Sequence, residues 1–355
     1  MLLFAMKKSN TFRLLALCVV AMSKQYWDWL QLQGGSPEVE QTEKERSLFF
    51  DGVKQCPPAP MLTNFTAPGN AEQSQWKHFP PSPNKPIFLP GYPGSGSELL
   101  RDLIPLWTGY PALDGHRSWN ATQRRACIGA VTCKTHWPAM KQQRTPKAMM
   151  PRAASHPTEA WILLRNPLHA IPSYFSWDWE WRNKITGHTQ QMPETTWIAK
   201  RDELLQAEIV KWCSLVRRWY NATAIREAPR MSPKVPAVPG SFLIQYERLT
   251  HPSRGTVFVE RMRQQFIKAG YAMDSSSRDM LCQWKAVVFD RPRVRRNKTY
   301  TPSYTLDQLQ FVLWQLSILR NDTAVAFSLK DLEVALDEYT AHAQLLVKEV
   351  TEAVE

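Results

Sequence analysis

Leu89-Pro-Gly-Tyr-Pro-Gly-Ser-Gly-Ser-Glu-Leu-Leu-Arg101 decides the fold class. The apolar run Ile87-Phe-Leu leads into it, and a helical pattern from Ser97 to Trp107 leads out. A strand therefore enters a Gly-rich turn that opens directly into a helix. Glycines let the backbone approach a ligand closely, and the N–H groups of such a turn and helix start point at an anion. Gly91 and Gly96 nearly fit the Walker spacing. Ser97 stands where that pattern needs Lys, which counts against an ATPase or GTPase.

The same alternation continues along the chain. Short apolar runs at residues 130–134, at Trp161-Ile-Leu-Leu164 and at Phe242-Leu-Ile-Gln-Tyr246 read as further strands. Leu205, Ile209, Trp212, Val216 and Trp219 form a helical stripe over residues 201–220, and helical patterns return at 256–270, 305–320 and 329–352. Strands alternating with helices predict an α/β fold, a mostly parallel central sheet flanked by helices. Ligands of such sheets bind at the carboxyl ends of the strands. The predicted organisation is a targeting segment over 1–23, a stem over 24–84, a catalytic-type domain over 85–325 and a C-terminal helix over 326–355. Residues 228–240 read as a Pro-rich linker.

Two further constellations end strands. In Cys133-Lys134-Thr135-His136, Lys134 and His136 would project from one strand face. A cation beside an imidazole suits transfer of a charged group, with the His accepting a proton and the Lys neutralising a leaving oxygen. In Trp161-Ile-Leu-Leu-Arg165-Asn166-Pro167, Arg165 offers a planar fork to a phosphate, and Pro167 suits the first turn of a helix. Ser173 comes later in that helix as a second donor. Pro172 favours a kink there.

Together these motifs resemble the sulfotransferases that use 3′-phosphoadenosine 5′-phosphosulfate (PAPS). That superfamily has a Tyr-Pro-x-Ser-Gly loop, then Lys-Thr-His, then Arg-Asn-Pro with a Ser eight residues after the Arg. Tyr92-Pro93-Gly94-Ser95-Gly96, Lys134-Thr135-His136, and Arg165-Asn166-Pro167 with Ser173 occur in that order. Phe242 to Leu249 resembles a later strand ending in Tyr-Glu-Asp-Leu. Among its members the chain is most similar to the WSC-domain-associated, Golgi carbohydrate-type enzymes, although no WSC domain is visible. The resemblance covers about residues 86–320. It implies a P-loop-like sulfotransferase fold in which Tyr92, Pro93, Gly94, Ser95, Gly96 and Ser97 bind the 5′-phosphosulfate. Arg165 and Ser173 would hold the 3′-phosphate. His136 would be the general base and Lys134 would stabilise the bridging oxygen, with no metal required. Many relatives carry Lys where this chain has Gly94, and Arg101, one turn into the helix, is the candidate replacement. The Arg-Lys-Gly motif of relatives is absent. Arg291, Arg293, Arg295, Arg296 and Lys298 form the basic cluster nearest its place.

Composition agrees with an anionic ligand. The chain has 355 residues with 44 Lys plus Arg against 32 Asp plus Glu, a formal charge of +12. Charged residues at 21% and apolar ones at 43% make it globular rather than disordered. No apolar run reaches the length of a membrane-spanning helix, which excludes a polytopic membrane protein. The N-terminal cations Lys7, Lys8 and Arg13, ahead of apolar Leu14 to Met22, predict a secretory signal or short signal-anchor, so the membrane is met only through that segment. Five Asn-x-Thr acceptors, at Asn64, Asn120, Asn221, Asn297 and Asn321, exceed the roughly one expected by chance and predict passage through a glycosylating lumen, which the resemblance implies is that of the Golgi. Cys56, Cys127, Cys133, Cys213 and Cys282 allow one or two disulfides and leave at least one thiol free.

The expected partners are PAPS, its product adenosine 3′,5′-bisphosphate, and a glycan or other hydroxyl-bearing acceptor. Nucleic acid is not expected. Trp177, Trp179 and Trp181 suit stacking on sugars or packing in a core. A nucleotide-binding phosphotransferase (a kinase) and a non-catalytic luminal binding protein are the alternatives.

Overall fold

The structure is a computed structural model that describes residues 56, 82, 86–114, 130–136, 159–185, 190–220, 240–271, 273, 277–290, 299–324 and 330–353. The targeting segment, nearly all of the stem, the linker up to residue 239, the 291–298 cluster, four of the five glycosylation acceptors and Cys127 lie outside the described residues, and the linker's last residue, Gly240, opens a strand. The chain divides into two compact units, Met1–Cys56 and Pro57–Glu355. The sheet and all of its helices belong to the second unit.

Five parallel strands form one sheet: β1 Ile87–Pro90, β2 Ala112–Asp114, β3 Thr132–Thr135, β4 Ala160–Leu164 and β5 Gly240–Gln245. Their spatial order is β2-β3-β1-β4-β5. The helices are α1 Ser97–Thr108, α2 Pro167–Arg182, α3 Glu194–Tyr220, the single turn α4 Tyr246–Leu249, α5 Arg254–Lys268, α6 Ser277–Lys285, α7 Leu306–Ala324 and α8 Lys330–Glu352. A π-helical turn, Ala286–Asp290, continues α6.

Strand alternation sorts the core into two layers. Phe88, Ile162, Leu164 and Leu243 face one side, where they pack with α2, α3, α7 and α8. Ile87, Leu89, Trp161, Leu163, Phe242 and Ile244 face the other, with α1, α5 and α6. Both faces of the sheet are thus covered, which is why β1 and β4 are buried at every position.

The expected α/β class and parallel sheet are present, with local differences. Strand β5 stops at Gln245, and Tyr246 opens a helical turn instead of ending the strand. Strand β2 and the α6 region are not among the expected elements. Helix α8 is no appendage: Leu332, Leu336, Tyr339 and Ala343 are buried in the same core as the sheet. Ser82, expected in the stem, is buried and bonded to Tyr271, so ordered packing begins ahead of Pro86.

Pro172 lies inside α2, yet the helix runs on to Arg182. A proline has no N–H for the carbonyl four residues back. That carbonyl belongs to Leu168, and the Tyr304 hydroxyl donates to it at 2.5 Å.

Cys56, Cys133 and Cys282 are disulfide-bonded, and three bonded cysteines require at least two disulfides. Among the described residues Cys213, buried in α3, is a free thiol, and burial pushes its pKa to about 12. Among the described residues no helix is long and apolar enough to cross a membrane.

Candidate functional site

Strand order places the site. Strands β2 and β3 lie on one side of β1, and β4 and β5 on the other. Connections therefore leave in opposite directions around β1, opening a crevice at its carboxyl end. Register brings the three motifs to that crevice. Leu89 pairs with Lys134 and Pro90 with Thr135 on one side, and Gly91 bridges Leu163 on the other.

The turn after β1 is held at each glycine it contains. Gly94 and Gly96 have φ of +83° and +92°, a region that side chains disfavour. A Cβ at Gly94 would meet the Ala170 carbonyl oxygen at 2.4 Å and the Ser173 Cβ at 3.2 Å. A Lys at this position is therefore sterically excluded in this backbone, which accounts physically for the glycine there. A Cβ at Gly96 would meet the Tyr246 ring at 2.3 Å. Gly96 is also the N-cap of α1, so no side chain caps the first N–H groups of that helix.

Tyr92 turns away from the turn. Its side chain is 1% exposed, and its hydroxyl donates to the Glu208 carboxylate on α3, which Lys211 also engages. Burial, then the Glu208 charge, holds the Tyr92 phenol well above its ordinary range. Tyr92 is thus an anchor beneath the loop, and its hydroxyl is not offered to a ligand above. Pro93 lies within the turn, and Ser97 is the first residue of α1.

Ser95 is the singular residue. It is completely buried, and its Oγ has no hydrogen-bond partner. Its backbone N–H donates to the Tyr92 carbonyl at 3.1 Å, so the turn is closed without the hydroxyl. A buried hydroxyl without a partner costs about 1–3 kcal/mol.

Lys134 and His136 both reach the same crevice. The His136 ring is buried, and its Nδ1–H donates to the Gly91 carbonyl at 2.5 Å. A carbonyl only accepts, so the bond fixes the tautomer and leaves the basic lone pair on Nε2. The Lys134 ammonium donates to the Glu98 carboxylate at 2.9 Å. Arg101 pairs with the same carboxylate from one turn along α1.

The Arg165 guanidinium donates through Nη1 to the Gly94 carbonyl at 2.7 Å and lies 4.4 Å over the Tyr246 ring. Register explains the stack: Leu164 pairs with Gln245, so the next residues of β4 and β5 are neighbours. The Arg165 Nε is buried without a partner. Ser173, half-buried on α2, sits against Gly94.

The turn behind Arg165 is fixed from far away in sequence. Asn166 caps α2 by accepting from the Leu168 N–H at 3.0 Å, and its own N–H donates to Glu247 at 2.8 Å. Tyr339 of α8 donates to the other Glu247 oxygen at 3.0 Å. Burial raises the Glu247 carboxyl pKa, against the opposing pull of these bonds and of Arg165. The Asn166 amide, whose oxygen is used in the cap, donates to the His342 Nδ1 at 3.1 Å.

Glu208, Tyr246 and Glu247 were not among the expected site residues. Only Tyr246-Glu247 carried a sequence signal, as the end of the motif at 242–249. The tryptophans divide. Trp107, Trp161, Trp197, Trp212 and Trp284 are buried, each with its indole N–H bonded. Trp179 packs on the core and Trp177 stacks on Tyr174. Trp181 is 69% exposed, but it lies fourteen residues past Pro167, about 21 Å of helix rise from the start of α2 at the crevice. Among the described residues no cluster of three His, Cys, Asp or Glu side chains forms a metal-binding group.

Compared with models of known protein families, with curated proteins and with solved structures, the chain matches none.

Proposed function

We propose that this chain is a sulfotransferase that moves a sulfuryl group from PAPS to a hydroxyl or amine of a glycan or glycoconjugate in the Golgi lumen. One observation carries the reading. The Ser95 hydroxyl, in a turn whose glycines exclude side chains, and the Nε of Arg165, whose guanidinium reaches that turn from the end of β4, are both buried and lack partners. Two donors without acceptors beside an uncapped helix start fit an anionic ligand that accepts from all of them. The +12 charge favours a donor carrying about four negative charges.

In this reading the Ser95 hydroxyl and the first N–H groups of α1 bind the 5′-phosphosulfate. Arg165 and Ser173 hold the 3′-phosphate. The donor supplies the sulfuryl group, and adenosine 3′,5′-bisphosphate leaves. As the acceptor oxygen forms its bond to sulfur, His136 Nε2 takes the acceptor's proton. Lys134 neutralises the bridging oxygen as its bond to sulfur breaks. Most of the rate enhancement then comes from positioning and charge stabilisation, as in phosphoryl transfer. Disulfide-bonded cysteines and five Asn-x-Thr acceptors support an oxidising, glycosylating lumen.

The test is the melting temperature of the full chain, expressed by secretion, with adenosine 3′,5′-bisphosphate or with ATP and Mg²⁺. Ligand at 100-fold its Kd stabilises by about 2.7 kcal/mol. A shift specific to the bisphosphate is expected. No shift, or a larger one with ATP and Mg²⁺, would sink the reading in favour of an inactive fold or a phosphotransferase.

A further inference from the structure

Two cations flank the start of α1, Lys134, which the proposed reaction uses, and Arg101, the candidate replacement for the loop Lys, and Glu98 engages both. The Lys134 ammonium lies 2.9 Å from one carboxylate oxygen, and the Arg101 guanidinium pairs with the other. The three side chains differ in exposure. Lys134 is 11% exposed and Arg101 15%, whereas Glu98 is 44% exposed. The cations are fixed and largely desolvated, and the anion joining them is open to water.

That asymmetry decides which member can move. A buried cation that loses its counter-charge is strongly penalised, whereas a carboxylate near the surface rehydrates at little cost. Glu98 also sits in the first turn of α1, two residues after Gly96, where incoming anions meet the uncapped helix start. Its carboxylate therefore occupies the charge position that a ligand anion would take between the same two cations.

We infer that Glu98 is an internal stand-in for the ligand anion. It holds Lys134 and Arg101 in place before binding and swings into solvent when the 5′-phosphosulfate arrives. The inference rests on the PAPS reading of the site. It makes Glu98 a residue that sets donor affinity, and not the proton acceptor, since both of its oxygens already serve cations. Binding is then an exchange of one anion for another, and part of the ligand's interaction is spent on displacement.

The experiment is calorimetric titration of adenosine 3′,5′-bisphosphate into the wild-type full chain and into Glu98→Gln and Glu98→Ala, at two salt concentrations. Partly exposed ion pairs contribute about 1.4- to 5-fold each to an equilibrium constant. Removing the two that compete should tighten binding by about 2- to 25-fold in both variants. The salt dependence should steepen, because the site gains one net positive charge. The unliganded melting temperature should fall while the ligand-induced shift grows. A carboxylate that merely supports the fold would lower the melting temperature and weaken binding together, the opposite sign. Wild-type binding with unchanged or weaker binding in the variants would overturn the stand-in role alone. Absence of binding to the wild-type chain would overturn the PAPS reading itself.

Discussion

Replacing Ser95 by Ala separates a ligand-facing hydroxyl from a structural one. The residue is completely buried, and its Oγ has no partner, while its backbone closes the turn through the Tyr92 carbonyl. Deleting the oxygen removes an unsatisfied polar atom and breaks no bond. The variant should regain up to the ~1–3 kcal/mol that such an atom costs. At about 2 °C per kcal/mol for a unit as large as Pro57–Glu355, the unliganded melting temperature should hold or rise by a few degrees.

The liganded state should move the other way. A hydrogen bond to a charged group is worth about 1.5–3 kcal/mol, so losing it weakens bisphosphate binding by about 10- to 150-fold. Differential scanning calorimetry with a bisphosphate titration reads both quantities on one sample. The combination of a more stable empty protein and a weaker ligand is the signature sought. A fall in the unliganded melting temperature, or a Kd within twofold of wild type, would refute the assignment of the hydroxyl to the anion.

The same contacts give three other expected outcomes. His136→Ala should retain bisphosphate binding but lose about 10²–10⁴-fold in turnover; unchanged turnover with PAPS and acceptor would place the base elsewhere. Tyr304→Phe should leave the Leu168 carbonyl without its donor and cost about 1–3 kcal/mol in a melting experiment, with ligand affinity intact; an unchanged melting temperature would mean that the carbonyl is satisfied otherwise. Burial lowers the His342 pKa below its ordinary 6.5, so the unfolded chain binds the proton first. Its contribution to stability is therefore full above pH 6.5 and is lost as pH falls through the folded value. The raised Glu247 carboxyl acts in the opposite sense above its ordinary 4.5, so His342→Gln should flatten the acid-side decline in melting temperature, and a curve parallel to wild type would exclude His342 as its source.

The parts legible in the sequence are those whose cause is local. Asn166-Pro167 announces a helix start because a cap and a fixed φ act within two residues, and the structure has both. The Gly-rich turn is legible for the same reason, since Gly94 and Gly96 are required by backbone angles at their own positions. Illegible are the contacts made at long range. Nothing near Pro172 tells that a tyrosine in the segment before α7 supplies the missing donor, and nothing near Tyr92 tells that Glu208 receives its hydroxyl. Tyr246 reads as strand because aromatic residues favour strands. Its ring instead fills the space left by Gly96 and stacks under Arg165, so tertiary packing ends the strand one residue early. Strand β2, at three residues, is too short to show a period.

These long-range contacts also bear on the role of α8. The Arg165 guanidinium is aimed by Gly94 and Tyr246, while the turn that carries it is tied through Asn166 to Glu247 and His342, and Glu247 in turn to Tyr339. Two of those residues belong to α8, whose buried face also packs against α3 and α7 in one core. A phosphate-binding arginine must be held before the ligand arrives if ordering it is not to weaken binding. The C-terminal helix therefore acts on the site as well as on the core. Loosening it at Tyr339 or His342 should weaken the 3′-phosphate contact of the proposed donor more than the 5′ contact. That difference is measurable as a narrowed preference for adenosine 3′,5′-bisphosphate over adenosine 5′-monophosphate. Equal losses for both ligands would mean that α8 supports the fold without aiming Arg165.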